Sequence, residues 1–475
     1  MAGGTFSPGE VKVRPGNYHR EVSDITANLA GNINGIGAGL IKANWGPLNE
    51  AVAFDGSTDV NAVFGSGQTE SLITEMFNGG ITSGFFVRIG TGGTAPKITL
   101  KDTASSPAAA VEITGKYVGT RAFTATVRTS LINTEEKELI ILDGTSEYAK
   151  VSFEAGTNEP DALVKAINST LTDFTAKKSG SGGNGTLAAV TQSPFTAGTN
   201  PTVSTAQYST GLSVLEAYEW NCLCVDTEDV AVHALIPPYL NRIYAAGSYP
   251  LACIAEKAKG DGAVTLDERI AHAAAFNNRM VHYVLNPTYD SAGNLYDGWK
   301  NAARIGGYIA AINTNDTLTG KPVTGYTSLA EPLTNTQIIN ALKKGCIVLS
   351  RNRKGQIVIE QGINTLITPS GDEDEGWKKI RRVKVRYELI QRIMATLDEL
   401  RVDNDEQGRA AVIAAAYGVY SEMVGENKLL AGGSVILDES KKPRGDSAWF
   451  KVLCDDKDSL EKTYSTFRFR FAPEE

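Results

Sequence analysis

The chain predicts a multidomain α/β and α+β protein, and three observations carry that expectation. Apolar runs suited to buried strands alternate with helical periodicities in two separate stretches. A Gly/Thr/Ser-punctuated stretch of short strands lies between them. Two long amphipathic helices and a hairpin follow near the end. The 475 residues exceed one ordinary compact core. With 42 % hydrophobic and 21 % charged residues, the composition is that of a folded globular protein.

Residues 1–29 read as an N-terminal arm and linker. Val11 and Val13 alternate with Lys12 and Arg14, Pro15-Gly16 punctuates, and Tyr18 and Val22 follow at even spacing. Residues 30–90 form the first part of an α/β core, with a strand at Ile36–Lys42, a helix at Thr69–Phe77 and a buried strand at Gly84–Ile89. Residues 91–209 read as an inserted β-rich domain. Its strands are Lys97–Leu100, Ala122–Arg128, Glu138–Leu142 and Tyr148–Phe153, with one helix at Pro160–Leu171 and a turn-rich return from Ser179 to Gly211. The insert is expected to project outward and to matter little for assembly.

Residues 210–350 resume the core. Strands at Asn221–Val225, Leu251–Ala255, His282–Leu285 and Cys346–Leu349 bracket helices near Asp229–Ala246, Leu266–Met280 and Trp299–Ile312. Pro237-Pro238 must break or kink the first of these helices. Residues 351–462 form a C-terminal domain. One helix steps through Trp377, Ile380, Val383, Tyr387, Ile390, Met394 and Leu397; a second runs through Ala410, Ile413, Tyr417, Tyr420 and Val424 and is ended by Gly432-Gly433. A hairpin follows, Ser434–Leu437 with Ala448–Cys454. Residues 463–475 are a C-terminal arm. There Phe467, Phe469 and Phe471 share one face of a strand, and Arg468 and Arg470 the other.

Reactive groups form no convergent motif. The Gly-Lys pairs precede Tyr117 and Pro322, not Ser or Thr, so no phosphate-cradling Walker loop is present. Gly35-Ile36-Gly37-Ala38-Gly39 has GxGxG spacing and reads as a glycine-rich strand or turn, with a dinucleotide loop as the alternative. His19, His233, His272 and His282 have no metal-ligand spacing. Cys222 and Cys224 share one side of a strand; they read as small apolar core residues, a soft-metal pair being the other possibility. Ser459–Lys462 matches SxxK by letters alone. The acidic run Asp372–Glu375, followed by Lys378, Lys379, Arg381 and Arg382, reads as a solvated helix entry or as an inter-subunit electrostatic contact. We therefore expect no catalysis, no metal and no cofactor.

A net charge of −8 argues against nucleic acid as partner, and five cysteines, few and odd in number, suit a reducing compartment. No run is long and apolar enough for a bilayer span, and the first residues lack a signal-peptide core, so synthesis in the cytoplasm is expected. A two-faced strand at each end must pair with a sheet edge or remain frayed, which argues for strands lent between copies; pairing within the chain is the alternative.

Arg14-Pro15-Gly16-Asn17-Tyr18 resembles the RPGxY arm motif of contractile phage tail sheath proteins. The collinear order is similar over essentially the whole chain: the Gly39–Val52 strand and turn, the GFFVRI segment, the insert, the α/β core, LAGGSVILDES and FKVLCDDKDSLEKTYSTFRFRF. Asn17 departs from the frequent valine of that family. The resemblance implies a self-polymerising subunit of stacked six-subunit rings around an inner tail tube, which contracts from a metastable state and meets baseplate and tail terminator proteins. It implies a virion or phage-tail-like particle assembled in the bacterial host cytoplasm. It also implies that arms 10–23 and 463–471 of two neighbours join a third subunit's hairpin, whose strand residues include Val435, Ile436, Leu437, Trp449, Phe450, Val452 and Leu453. The rival reading is another assembly protein, a capsid or surface-array subunit; an α/β enzyme is the third.

Overall fold

The computed structural model describes residues 3–5, 17–19, 34–65, 71–180 and 182–470, in two units, 1–33 and 34–475. In the first unit, Gly3–Thr5 pairs in parallel with Asn17–His19, Gly4 opposite Tyr18.

The second unit is built on a seven-stranded sheet. Its order is Cys346–Ile347, Val281–Val284, Leu251–Ile254, Cys222–Val225, Ile36–Ile41, Ser83–Arg88 and Ala51–Asp55. All neighbours are parallel except the last pair. Four of these strands, IGAGLI, CLCV, LACI and VHYV, are buried at every position. Sheets covered on both faces select such continuous apolar runs.

Helix Trp299–Ala311 lies against the sheet through Gly306, where a Cβ would stand 2.4 Å from Cys224 Sγ. At the next residue it meets helix Leu72–Asn78. A Cβ on Gly307 would lie 2.3 Å from the Met76 carbonyl and 2.8 Å from Gly79 Cα. Beside this crossing the Arg304 guanidinium bonds Glu75, Nη2 to Oε2 at 2.7 Å, and lies over the rings of Tyr296 and Tyr326. Burial raises the Glu75 carboxyl despite that partner. We expect Gly307→Ala to destabilise the chain by about 1–3 kcal/mol through overpacking. Gly418→Ala, on the exposed face of helix Glu406–Gly425 with open space around it, should be neutral or stabilising by about 0.5–1 kcal/mol. Paired denaturant melts compare them, and equal midpoints would refute the close crossing.

Between residues 97 and 194 the chain forms two further sheets. One orders Ser146–Glu154, Glu136–Asp143, Phe123–Thr129 and Val190–Pro194; the other orders Phe174–Lys178, Ala109–Gly115 and Lys97–Lys101. Helix Glu159–Thr170 covers them, and Leu163, Ile167, Phe123 and Phe174 are among the residues of their common core. That core also contains Trp45, 1 % exposed, from the turn after strand Ile36–Ile41. Its ring packs edge-on to Tyr117 at 5.2 Å and Phe123 at 5.1 Å. Arg88, fully buried, fastens the same place by donating to the carbonyls of Ala43 (3.0 Å), Gly46 (2.8 Å) and Val118 (2.9 Å).

Helices Ile380–Glu399 and Glu406–Gly425 pack together over Val385, Leu389, Ile393, Ala416, Val419 and Met423. Several expectations are corrected here. The second helix ends at Gly425, with Asn427 in the left-handed region, and not at Gly432-Gly433. Trp377 sits in a 3-10 turn, Glu375–Lys378, ahead of the first helix. The turn-rich tract before Gly211 contains a strand, Val190–Pro194, and a helix, Thr205–Leu215. Asn335–Lys343 is a helix as well. Both helices open on a capping-box sequence, Ser204-x-x-Gln207 and Thr334-x-x-Gln337. Their glutamine side chains accept from the Ser204 and Thr334 amides. The proline pair divides its segment into Val230–His233 and Ile236–Ala245.

Candidate assembly site

The hairpin Ser434–Leu437 with Phe450–Leu453 is antiparallel, with Val435 opposite Val452 and Ile436 opposite Lys451. It rests on the helix pair. Val435 enters their core, while the Tyr420 hydroxyl donates to the Leu430 carbonyl (2.6 Å) and accepts from the Gly433 amide (2.7 Å). Gly433 has no space for a side chain, because a Cβ would meet Tyr420 at 2.7 Å. At the far end Lys451 bonds Asp438 at 2.8 Å, and that contact lowers the Asp438 carboxyl to about 2.

Among the described residues this sheet has two strands, so both of its edges present backbone groups without a ladder partner. Its apolar residues are unusually open: Ile436, Trp449, Val452 and Leu453 are exposed, and Leu437 and Phe450 half-buried.

Beyond the hairpin, residues 463–470 take no regular secondary structure, where the sequence predicted a strand. Tyr464, Phe467 and Phe469 are exposed, Phe469 to 93 %, and the two phenylalanine rings lie stacked at 6.5 Å. Arg468 and Arg470 are also exposed. An extended segment without a sheet edge has no partner for its own backbone, and the local sequence cannot supply one. Phe471 lies outside the described residues. So do Val11, Val13, Pro15, Gly16 and Val22 of the N-terminal arm. Of Tyr18 only the strand is described.

The acidic run is engaged within the chain. Asp374 pairs with Arg386 (3.0 Å), Glu373 with Arg279 (3.2 Å) and Glu375 with Lys378 (2.6 Å). The Trp377 ring sits between the Arg279 and Arg386 guanidiniums, 4.1 and 4.5 Å from its centroid.

The sheet's carboxyl edge, where ligands bind in many parallel α/β folds, is filled by side chains of this chain. Asp226 receives the Tyr208 hydroxyl (2.7 Å) and the Lys42 amide, and burial raises its carboxyl. Glu256 receives the Tyr283 hydroxyl (2.5 Å) and faces His272 Nδ1 at 2.9 Å. Cys222, Cys224 and Cys253 are buried beneath Gly306, and burial pushes the Cys224 and Cys253 thiols far above their ordinary value. Among the described residues no group of three or more metal-ligating side chains converges. No described helix is long and apolar enough to cross a membrane.

The fold is that of tail sheath proteins. The sheath tail protein of Desulfitobacterium hafniense superposes with a TM-score of 0.72 at 16 % identity, over 92 % of this chain and 96 % of that one. The sheath tail protein of Listeria innocua gives 0.63 at 17 % identity, over 89 % and 94 %. The sheath complex of an extracellular contractile injection system, in its contracted state, gives 0.52 at 9 % identity, over 97 % and 98 %. Residues 202–365 match the model of the phage tail sheath protein central domain. No curated protein matches the chain in sequence.

Proposed function

We propose that this chain is the structural subunit of a contractile tail sheath. It polymerises as stacked six-subunit rings around an inner tube and contracts from a metastable extended state. The observation that carries this reading is the open hairpin together with an aromatic C-terminal segment that, among the described residues, pairs with no sheet, on a fold that matches a tail sheath protein over 92 % of the chain. In this reading the partners are further copies of the chain, the tube, and the baseplate and terminator proteins. No nucleic acid, membrane insertion, cofactor or catalysis enters. The particle is a virion or a phage-tail-like injection machine, assembled in the host cytoplasm.

Energies suit the role. A lent strand forming about four backbone hydrogen bonds gains roughly 1 kcal/mol from each. Full burial of Phe467, Phe469 and Phe471 would add about 1.5–3 kcal/mol apiece. Such joints hold while rigid bodies rearrange, and contraction draws its work from contacts made between cores in the lower-energy state.

Deleting residues 463–475 should leave the melting transition of the isolated chain within about 0.5 kcal/mol of the parent, because the described side chains 463–470 are exposed. It should abolish tubes in electron micrographs. Normal tubes from the truncated chain would overturn the arm assignment, and shells or flat sheets from the full chain would overturn the sheath reading.

A further inference from the structure

Between the hairpin and the aromatic segment, residues 455–461 are tied to the body by a ladder of ionic contacts. Asp456 receives the Arg382 guanidinium at two atoms, Nη2 to Oδ1 at 2.7 Å, and Arg386 Nη2 at 3.1 Å. Asp458 pairs with Lys379 Nζ at 2.7 Å. Glu461 also meets Lys379, at 3.2 Å, and reaches across to the core, accepting from the Thr319 hydroxyl (2.9 Å) and from Gln361 Nε2 (3.4 Å). Two main-chain bonds accompany them, the Leu430 amide to the Asp455 carbonyl at 2.9 Å and the Lys457 amide to the Lys428 carbonyl at 3.0 Å. Past Glu461, the described residues 462–470 are exposed.

We propose that residues 455–461 are a releasable strap, held to helix Ile380–Glu399 and the core by carboxylates, whose detachment lengthens the free C-terminal segment. The segment buries no large apolar side chain. Leu460, its one such residue, is exposed. Charge and hydrogen bonding therefore hold it, where tight apolar packing would make detachment an unfolding event. Free, the seven residues would add up to about 23–25 Å of reach at roughly 3.3–3.6 Å per residue. The Asp458–Lys379 pair is partly exposed, hence weak and salt-sensitive, while the Asp456 and Glu461 side chains, 6 % and 9 % exposed, carry more of the hold. A contact made of charge and hydrogen bonds can still yield under load while the hairpin stays folded. On the sheath reading, the strap is a reserve of chain at the root of the arm, spent when neighbouring subunits separate. The strap itself does not depend on that reading, since it belongs to the single chain.

The test is amide hydrogen exchange on the full-length monomer, comparing the parent with a triple variant, Asp456→Asn, Asp458→Asn and Glu461→Gln. Exchange at Lys457 should rise about tenfold or more, the factor that loss of a few weak pairs allows, with strands Ser434–Leu437 and Phe450–Leu453 unchanged. The parent in about 1 M NaCl, where screening acts within roughly 3 Å, should shift the same way, and it decides the matter if the variant does not fold. Unchanged Lys457 protection in the folded variant or at high salt would overturn the strap. So would simultaneous loss of hairpin protection, which would make the segment part of the fold. Tube formation by the variant is scored separately, so that failure of the sheath reading stays distinct from failure of the strap.

Discussion

Trp45→Ala should cost about 3–5 kcal/mol, the loss expected when a fully buried large aromatic is truncated in a packed core. The damage should appear in the wrong place for its sequence position. Trp45 follows a core strand, yet its ring is enclosed by Tyr117, Phe123 and Phe174. Near-ultraviolet circular dichroism and hydrogen exchange should therefore show loosening of strands Ala109–Gly115 and Phe123–Thr129 before the seven-stranded sheet. The same geometry bears on residues 91–209, which the sequence predicts to matter little for assembly. Their removal would bare Trp45 and take the Val118 carbonyl from Arg88. We expect the deleted chain to be insoluble, and a version carrying Trp45→Ser and Arg88→Met to recover. A stable, soluble simple deletion, or Trp45→Ala with an unshifted melt, would refute the anchoring.

Lys384→Met should also be severe. This side chain lies between buried Val383 and Val385, and its ammonium donates to the carbonyls of Ile309 (2.7 Å), Ala310 (3.1 Å) and Ile312 (2.7 Å) at the end of helix Trp299–Ala311. It thus caps a core helix from the C-terminal domain, favourably placed at the helix's negative end. The Ala310 carbonyl also accepts from the Gly35 amide at 2.9 Å; the other two would lose their lysine donor. At about 1–3 kcal/mol for each buried unpaired group, the loss is roughly 2–6 kcal/mol. Burial also pushes the Lys384 ammonium down to about 7. The unfolded chain then binds the extra proton between pH 7 and the ordinary lysine value near 10.4. Stability contributed through this group consequently rises with pH across that window, and the penalty is complete below pH 7. Parent and variant melts from pH 7 to 10 should diverge as pH rises. A constant gap, or a variant as stable as the parent, would count against the assignment.

The elements that could be read from the sequence are those whose partners leave a local mark. Runs such as CLCV and VHYV announce buried strands because a parallel sheet covered on both faces selects near-continuous apolar runs, His282 being accommodated by its bond to the Ala252 carbonyl. The helix pair shows its period through Val383, Tyr387 and Ile390. Helices Thr205–Leu215 and Asn335–Lys343 were legible in principle from their capping boxes, but the surrounding Thr, Asn and Pro residues read as turns. Trp45 and Lys384 were not legible. The ring partners of Trp45 begin at Tyr117, and Lys384 sits within KKIRRVKVRYE, whose charges look solvated until Val383 and Val385 are both seen to be buried. The segment DDKDSLEK hides its contacts in the same way, since a run of charges reads alike whether it faces water or arginines. Of the assembly surfaces, the hairpin was legible and the aromatic alternation of the tail visible. What the tail pairs with is a property of more than one chain.

The seven-stranded sheet also sets a timetable for the nascent chain. Strand Ile36–Ile41 pairs with strand Ser83–Arg88 on one side, but its other neighbour is Cys222–Val225, and the Ile36 amide waits for Asn221, 185 residues downstream. At synthesis rates of about 5–20 residues per second, that wait is roughly 10–40 s on the ribosome. Throughout it, IGAGLI has an open edge that invites pairing with other chains. The intervening 97–194 sheets have hairpin connections such as Glu136–Asp143 to Ser146–Glu154 and can form in the interval, because local contacts close fast. Once formed, they draw in Trp45 and hold the turn beside the unfinished edge. In this order of synthesis, the 97–194 sheets are expected to fold beside the core's first strands before the rest of the sheet arrives.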